Sequence, residues 1–458
     1  MTSADFIACQ SARATPNRFR PERSAVAVIH VGRRITRKAL LAVLLFVVSV
    51  AAQEPSQPES SNSNWAALHE RGYAAFESGR YSDAVAALNA SLPLAVSPEQ
   101  RAMTLSDLGY ALAELGRAAE ALAQLEQALA FWRSIDPAGH RAVQVATTVG
   151  ILRRTLGNFR GAEEILRAAV DSAHEPLDHV LALIAFGDLL NEQARFSEAR
   201  PALEQALELS PERDRSRASA LIGLGDAESN SGQFQPGIAH LREALAISSA
   251  IKVPEMEALA LRDLGSTYAQ AGDFSSARTT LRRALRLLEA DPGMRIQYAG
   301  TLVSLGAIYS AENKLGLAED VLTQAVRVYG DAGPNRRSAL AFEYLAAVRA
   351  QQKRFAEGED LANRAQSTLR SAFGENSAAA AGALATLAFV EEKAGNLEQS
   401  EQDYSRAVAI VRDRGFTGAA SSGILSGYAN VLRKLHRRHD AAIIDRQLKA
   451  LRNPGLSR

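Results

Sequence analysis

Cysteine is nearly missing from this chain: Cys9 is the only one in 458 residues. With none after position 9, the body can form no disulfide, hold no thiolate nucleophile and build no cysteine metal site. Aromatic residues make up only 6% of the chain, although 47% is hydrophobic, so alanine and leucine carry most of the apolar surface. That mix suits close-packed helices rather than strands, which favour β-branched and aromatic side chains. Excess charge of one sign is also lacking, since the net charge is +1. The distribution is uneven. Residues 1–52 hold eight Lys/Arg against two Asp/Glu, which leaves 44 against 49 for the remainder. A mildly acidic body argues against a nucleic-acid role based on phosphate neutralisation.

Long apolar runs are scarce too, with one exception. Ala39–Ala52 carries no charge and follows Arg33, Arg34, Arg37 and Lys38. The run falls short of the ~20 residues that a membrane-spanning helix needs. A basic region, an apolar region and a small-residue end read as a secretory signal peptide, with Val50-Ala51-Ala52 as the expected cleavage site. Residues 1–52 are therefore expected to be an N-terminal extension and signal, and the mature body extracytoplasmic, periplasmic or secreted. Left uncleaved, the segment would anchor the body facing outward. Residues 53–64, rich in Ser, Pro, Glu and Gln, read as a flexible linker.

The body, 65–451, repeats itself, and a short tail follows at 452–458. Gly79-Arg80-Tyr81-Ser82-Asp83-Ala84, Gly157-Asn158-Phe159-Arg160-Gly161-Ala162 and Gly272-Asp273-Phe274-Ser275-Ser276-Ala277 are one phrase rewritten. Each sits between two apolar stretches of helical spacing, as a tight turn would. At a fixed interval ahead of each turn lies a small anchor: Gly72, Gly109, Gly150, Gly187, Gly225, Gly265, Gly306, Ala346, Ala388 and Ala429. The turns fall at Gly79, Gly116, Gly157, Ala194, Gly232, Gly272, Asn313, Lys353, Gly395 and His436. Successive anchors are roughly 40 residues apart, a period in the range of helical repeat arrays. A helix-interior glycine costs about 1 kcal/mol relative to alanine, so seven of them imply that each lets another helix approach closely. A lone helical hairpin cannot bury its apolar faces, whereas a stack of them can. Pro98, Pro137, Pro176, Pro211, Pro254 and Pro292 fall between hairpins; Pro201, about one turn into its helix, is expected to bend it.

This register resembles the tetratricopeptide repeat: Leu108-Gly109, Leu112, Gly116, Ala121, Leu125 and Ala128 match its signature, as do Leu264-Gly265, Tyr268, Gly272, Phe274, Ala277, Leu281 and Ala284. The longer spacing is similar to the class found in kinesin light chains. The resemblance implies an all-α solenoid of about ten antiparallel helix-turn-helix repeats, wound as a right-handed superhelix, with first helices lining a concave groove for peptides or proteins. Carried onto this chain, the groove would be lined by Tyr73, Phe76, Tyr110, Arg154, Asp188, Asn191, Asp226, Asn230, Arg262, Gln270, Glu343, Phe389 and Lys393. Asp188 and Asp226 stand where asparagine would serve a grip on a C-terminal carboxylate, so that mode is not expected.

No catalytic, cofactor or metal site is read from the residues. His174-Glu175-Pro176-Leu177-Asp178-His179 has a proline inside it and falls between hairpins, so its histidines would not share a helix face. The expected function is a non-catalytic scaffold for a protein or peptide partner, without nucleic acid, and with self-association open at the uncapped ends. The alternative is a cytoplasmic regulatory or sensory module, should residues 39–52 be no signal.

Overall fold

The computed structural model describes residues 59–193, 195–330, 336–373, 377–413 and 419–452. Residues 39–52, expected to be a signal segment, and the turn position Ala194 lie outside them. The described residues form twenty α-helices in consecutive antiparallel pairs, with short 3₁₀ turns after two of the second helices and no strand. The first helices are α1 (Glu59–Glu77), α3 (Pro98–Glu114), α5 (His140–Thr155), α7 (Pro176–Glu192), α9 (Arg215–Asn230), α11 (Pro254–Gln270), α13 (Arg295–Ala311), α15 (Arg336–Gln351), α17 (Ala378–Ala394) and α19 (Ala419–Lys434). The second helices are α2 (Tyr81–Ser91), α4 (Ala118–Ile135), α6 (Phe159–Ser172), α8 (Phe196–Leu209), α10 (Phe234–Ala250), α12 (Phe274–Glu289), α14 (Leu315–Gly330), α16 (Phe355–Phe373), α18 (Leu397–Asp413) and α20 (Arg438–Arg452). The protein is an α-solenoid.

Seven of the ten hairpins close on one contact. A methyl group added at Gly109 would lie 2.5 Å from Leu125 Cγ, and at Gly150 it would lie 2.4 Å from Leu166 Cγ. The other five anchor glycines meet Leu88, Leu203, Leu241, Leu281 and Leu322 in the same way. All seven leucines are fully buried. The interval from glycine to leucine is the same in every case, from Gly72 and Leu88 to Gly306 and Leu322. A missing side chain on one helix and a branched side chain on the other therefore fit together. Where the anchor is Ala346, the residue at that interval is Ala362, also fully buried. A second small residue follows each turn. Ala84, Ala121, Ala162, Ala199, Ala277 and Ala318 are fully buried, and Ser400 in the same place donates its hydroxyl to the Ala388 carbonyl at 2.6 Å.

The turns end the first helices in a left-handed residue. Gly79, Gly116, Gly157, Gly232, Gly272 and Gly395 have φ between 71° and 92°. Asn313, Lys353 and His436 adopt φ of 56°, 64° and 60° without the freedom glycine has there. Around each, two backbone bonds satisfy otherwise orphaned carbonyls: Gly116 N–H donates to Ala113 O and Arg117 N–H to Leu112 O, both at 2.9 Å. The next residue caps the second helix. Asn158 and Asp273 accept side-chain bonds from Gly161 and Ser276 N–H at 3.0 Å. Arg117, Arg195, Arg354 and Arg437 instead pair with an acid three positions on, a carboxylate well placed for the helix dipole.

Prolines fit the same plan: Pro98, Pro176 and Pro254 occupy the first helical position, where no amide donor is missed. Pro201 lies inside α8, which continues through it. The linker expected over 53–64 is too long, because α1 opens at Glu59 and residues 59–64 are helical. Once Trp65 is fixed by packing (its indole N–H donates to Thr104 Oγ1 at 3.0 Å), each further residue adds a backbone bond cheaply, and no proline follows Pro58 until Pro93.

Curvature follows from unequal spacing. From α5 onward each first helix packs against the first helix of the next unit, while no second helix makes comparable contact with the next second helix. The first-helix face is therefore the tighter, inner one.

Two substitutions test this account. Helix propensity alone makes Gly109→Ala stabilising by about 1 kcal/mol, but overpacking against Leu125 costs roughly 1–3 kcal/mol. The expected outcome is a net loss, seen as a lower Tm by differential scanning calorimetry; a raised Tm would sink the glycine–leucine contact as the spacing device. Lys353→Gly should do the opposite. Relieving a left-handed non-glycine residue is worth about 1 kcal/mol, and the denaturant midpoint should rise accordingly.

Candidate binding groove

The inner face is built from positions recurring on the odd-numbered helices. Tyr73, Tyr110, Asp188, Asp226 and Phe389 each stand immediately after an anchor, so one register places all five on one face. All five are half-buried. Asn230, Gln270 and Lys393, one turn further on, are exposed. Phe76 departs from the expectation. It is 9% exposed and meets the Tyr81 ring edge-on at 5.5 Å, so it packs between α1 and α2 instead of facing the groove. A large ring at this position gains more by sealing the first hairpin than by meeting water.

The groove changes character along its length. At the N-terminal end Tyr110 shares a hydrogen bond with Thr148, and its hydroxyl pKa is pushed up by burial, then by Asp107. His69 stacks on Trp65 at 5.0 Å and its Nε2 lies 3.1 Å from Asp107 Oδ2, tying α1 to α3. In the middle, α5, α7, α9 and α11 bring charged groups together. Arg154, 6% exposed, lies 3.9 Å from Asp188 and 3.8 Å from Glu192. Asn191 Nδ2 donates to Gly223 O at 2.8 Å. Arg262 binds Asp263 Oδ1 through Nε at 3.0 Å and Nη2 at 2.9 Å. Burial raises the Asp188 carboxyl pKa against the pull of Arg154. It raises that of Asp226 further, with Asp263 the foremost charge acting on it. At the C-terminal end Lys393 lies over the Phe389 ring at 5.0 Å. Glu343 Oε1 is 3.9 Å from where a Gly382 methyl would lie, so α15 and α17 are closely apposed.

Thus Arg154, Asp188, Asn191, Asp226 and Arg262 gather on one stretch, while Tyr73 and Tyr110 lie on the N-terminal side of it and Phe389 and Lys393 on the other. Asp263 belongs to the central group and was not among the expected lining residues. It precedes its anchor by two positions, a place that reads as interior. His174 and His179 do not converge: the first follows α6 and the second lies on α7, 3.5 Å from Gln205.

Comparison with known proteins agrees with the repeat register. A MalT-like TPR region model matches residues 192–377, and two tetratricopeptide-repeat models match 100–175 and 150–214. No curated protein matches. Among solved structures, a Rap protein complexed with competence and sporulation factor is similar over 78% of this chain and 99% of its own, at 14% identity and a TM-score of 0.53. A tetratricopeptide repeat protein from Parabacteroides merdae is 18% identical over 62% of this chain and 98% of its own, with a TM-score of 0.46. BtubC from P. vanneervenii is 22% identical over 47% and 91%, with a TM-score of 0.39. The first of these likenesses supports the fold; the other two are too loose to carry an argument.

One buried carboxylate pair lies outside the groove. In the fifth hairpin Glu228, 3% exposed on its side chain, is matched by His240 Nδ1 at 2.7 Å. The equivalent positions of the ninth hairpin hold Glu391 and Asp403, 7% and 3% exposed. Glu391 Oε2 is enclosed without a hydrogen bond. Burial first, then Asp403 and Glu359, lift the Glu391 pKa to about 7 from an ordinary 4.5. A pKa raised on folding means that the folded protein keeps a proton the unfolded chain has released. Stability from this group is complete below about 4.5 and is lost as pH rises through about 7. Glu391→Gln should therefore stabilise by on the order of 1 kcal/mol at pH 8 and change little at pH 4. Equal effects at both pH values, by urea denaturation, would overturn the assignment.

Proposed function

We propose that this chain, whose residues 100–377 carry tetratricopeptide repeats, is a non-catalytic scaffold that receives a peptide or protein segment along the inner face of its first helices. The carrying observation is the repeated register. Nine of the ten hairpins leave the residue after the anchor half-buried or exposed, Ile151 of the third being buried, and these positions mix aromatic rings with carboxylates whose charge burial disfavours. Such a surface suits an extended segment held by apolar anchors and a few charged contacts. The Rap likeness supports the reading in one respect, since that protein of similar fold is in complex with a factor. The repeat period, longer than the ~34 residues of the commonest tetratricopeptide form, supports placement in the long-repeat class that includes kinesin light chains.

The scaffold works outside the cytoplasm in this reading. Its support is the order of basic residues, the uncharged apolar run Ala39–Ala52 and the small-residue end Val50-Ala51-Ala52. Cytoplasmic residence, with that segment retained, would make the protein a regulatory module of the same binding kind.

Photo-crosslinking in the native cell, with a crosslinkable residue in place of Asn230 on the inner face or Arg160 on the outer face, tests both parts. The expected result is adducts from position 230, few from 160, and a mature N-terminus near Gln53 in the extracytoplasmic fraction. Equal adducts from both positions would remove the groove. An intact N-terminus in the cytoplasm would remove export.

A further inference from the structure

Among the described residues, the middle of the groove holds more acceptors than donors. Arg154, Asp188, Glu192, Asp226, Arg262 and Asp263 place four carboxylates against two guanidiniums on α5, α7, α9 and α11. Both guanidiniums are already committed. Arg154 sits between Asp188 and Glu192, and Arg262 grips Asp263 Oδ1. The Asp226 carboxylate accepts no hydrogen bond among the described residues. Asp263 is only 7% exposed, yet its Oδ2 is sealed from solvent without a partner. Asn191 Oδ1 is likewise enclosed and unpartnered, although its amide nitrogen is fixed on Gly223. These groups lie together, because α9 packs between α7 and α11 and Asp263 acts directly on the Asp226 carboxyl.

Acceptors buried without donors cost the fold free energy unless something else supplies the N–H groups. The arrangement is not a metal cage: among the described residues no three His, Cys, Asp or Glu side chains converge as ligands would. Instead the free oxygens come from three consecutive units and include a neutral amide. That spread suits a flat, donor-rich cation. A guanidinium offers five N–H groups in one plane, and an ammonium three on a flexible stem.

We infer that the groove recognises a basic side chain, preferentially arginine, on an extended peptide, and that the half-buried Asp226 receives it, with Asp263 and Asn191 lining the recess behind it. This rests on the groove reading above and specifies its partner. The occupant follows from charge complementarity: four carboxylates in a half-buried recess face two guanidiniums that are already paired within it, and acceptors are left unfilled. Desolvated acceptors also make the contact selective, because a neutral side chain of similar shape would leave them unpaired.

The test is a selection of random nine-residue peptides on the full chain, on Asp226→Asn and Asp263→Asn, and on the exposed-site control Asp320→Asn. Folding of each variant is confirmed by circular dichroism, and enriched peptides are measured by fluorescence anisotropy. The expected result is an arginine or lysine at one constant position, with at least tenfold weaker binding when citrulline replaces that arginine. The same loss is expected for Asp226→Asn or Asp263→Asn with the original peptide, none for Asp320→Asn, and weaker binding at higher salt. Enriched peptides without a basic residue, or binding that both groove variants leave intact, would overturn the inference while sparing the groove. Peptides held equally well by a chain whose inner face is blocked by a crosslinked adduct at position 230 would overturn both.

Discussion

A leucine seated in the gap left by a glycine sets the dimensions of this protein. Each of the seven glycines surrenders about 1 kcal/mol of helix propensity, and burying the facing leucine returns roughly 1.5–3 kcal/mol. The exchange is favourable only if the helices stand close enough for both to hold. The contact therefore specifies a distance as well as a stability. It is also local: glycine and leucine belong to the two helices of one hairpin, as Gly109 on α3 and Leu125 on α4 do, so each hairpin is defined within its own unit. The eighth and ninth units do without the glycine–leucine pair. Ala346 faces Ala362, both fully buried, and Ala388 is followed at the same interval by the buried Tyr404, whose ring reaches toward Gly427 of the next unit.

Local specification frees the inner face. Hairpins that are held together from within can vary the residue after each anchor without disturbing the core. The same first helices must nevertheless crowd one another for the array to curve, and crowding brings equivalent positions of adjacent units together. Asp188 and Asp226 occupy one register in successive units, so like charges become neighbours in a recess poor in water. A structural core would not choose that arrangement, since burial works against ionising either group. Free energy given up at a fixed place on a repeated face fits the proposed partner surface.

Much of this was legible in the residues. The turns at Asn313, Lys353 and His436 carry no glycine, yet register located them, because each must bring the chain back over a hairpin of the same size. The side-chain roles were less legible where two helices decide them jointly. Phe76 reads as a groove residue from its own helix, and only the Tyr81 ring on the next helix shows that it is packed inside. Glu391 and Glu392 are adjacent and alike in sequence. Lys434 and Asn430 satisfy Glu392 at 2.8 and 2.6 Å, whereas Glu391 meets Asp403. Residues 59–64 looked like linker because their composition is polar, but a helix can extend into polar sequence once its packed end is nucleated.

The same reasoning separates the two classes of carboxylate in this protein. Glu228 and Glu392 are buried with imidazole, ammonium or amide partners from neighbouring helices, and such pairs serve the array itself. Among the described residues the Asp226 side chain accepts no hydrogen bond, and Arg262, which binds Asp263, reaches it only through its charge. Nothing in the hairpin geometry requires an acid there: the equivalent positions are tyrosine in the first two units and phenylalanine in the ninth. The residue after the anchor is therefore the variable on which units of one architecture differ, and in the fourth and fifth units that variable has been set to negative charge where the groove is already short of donors.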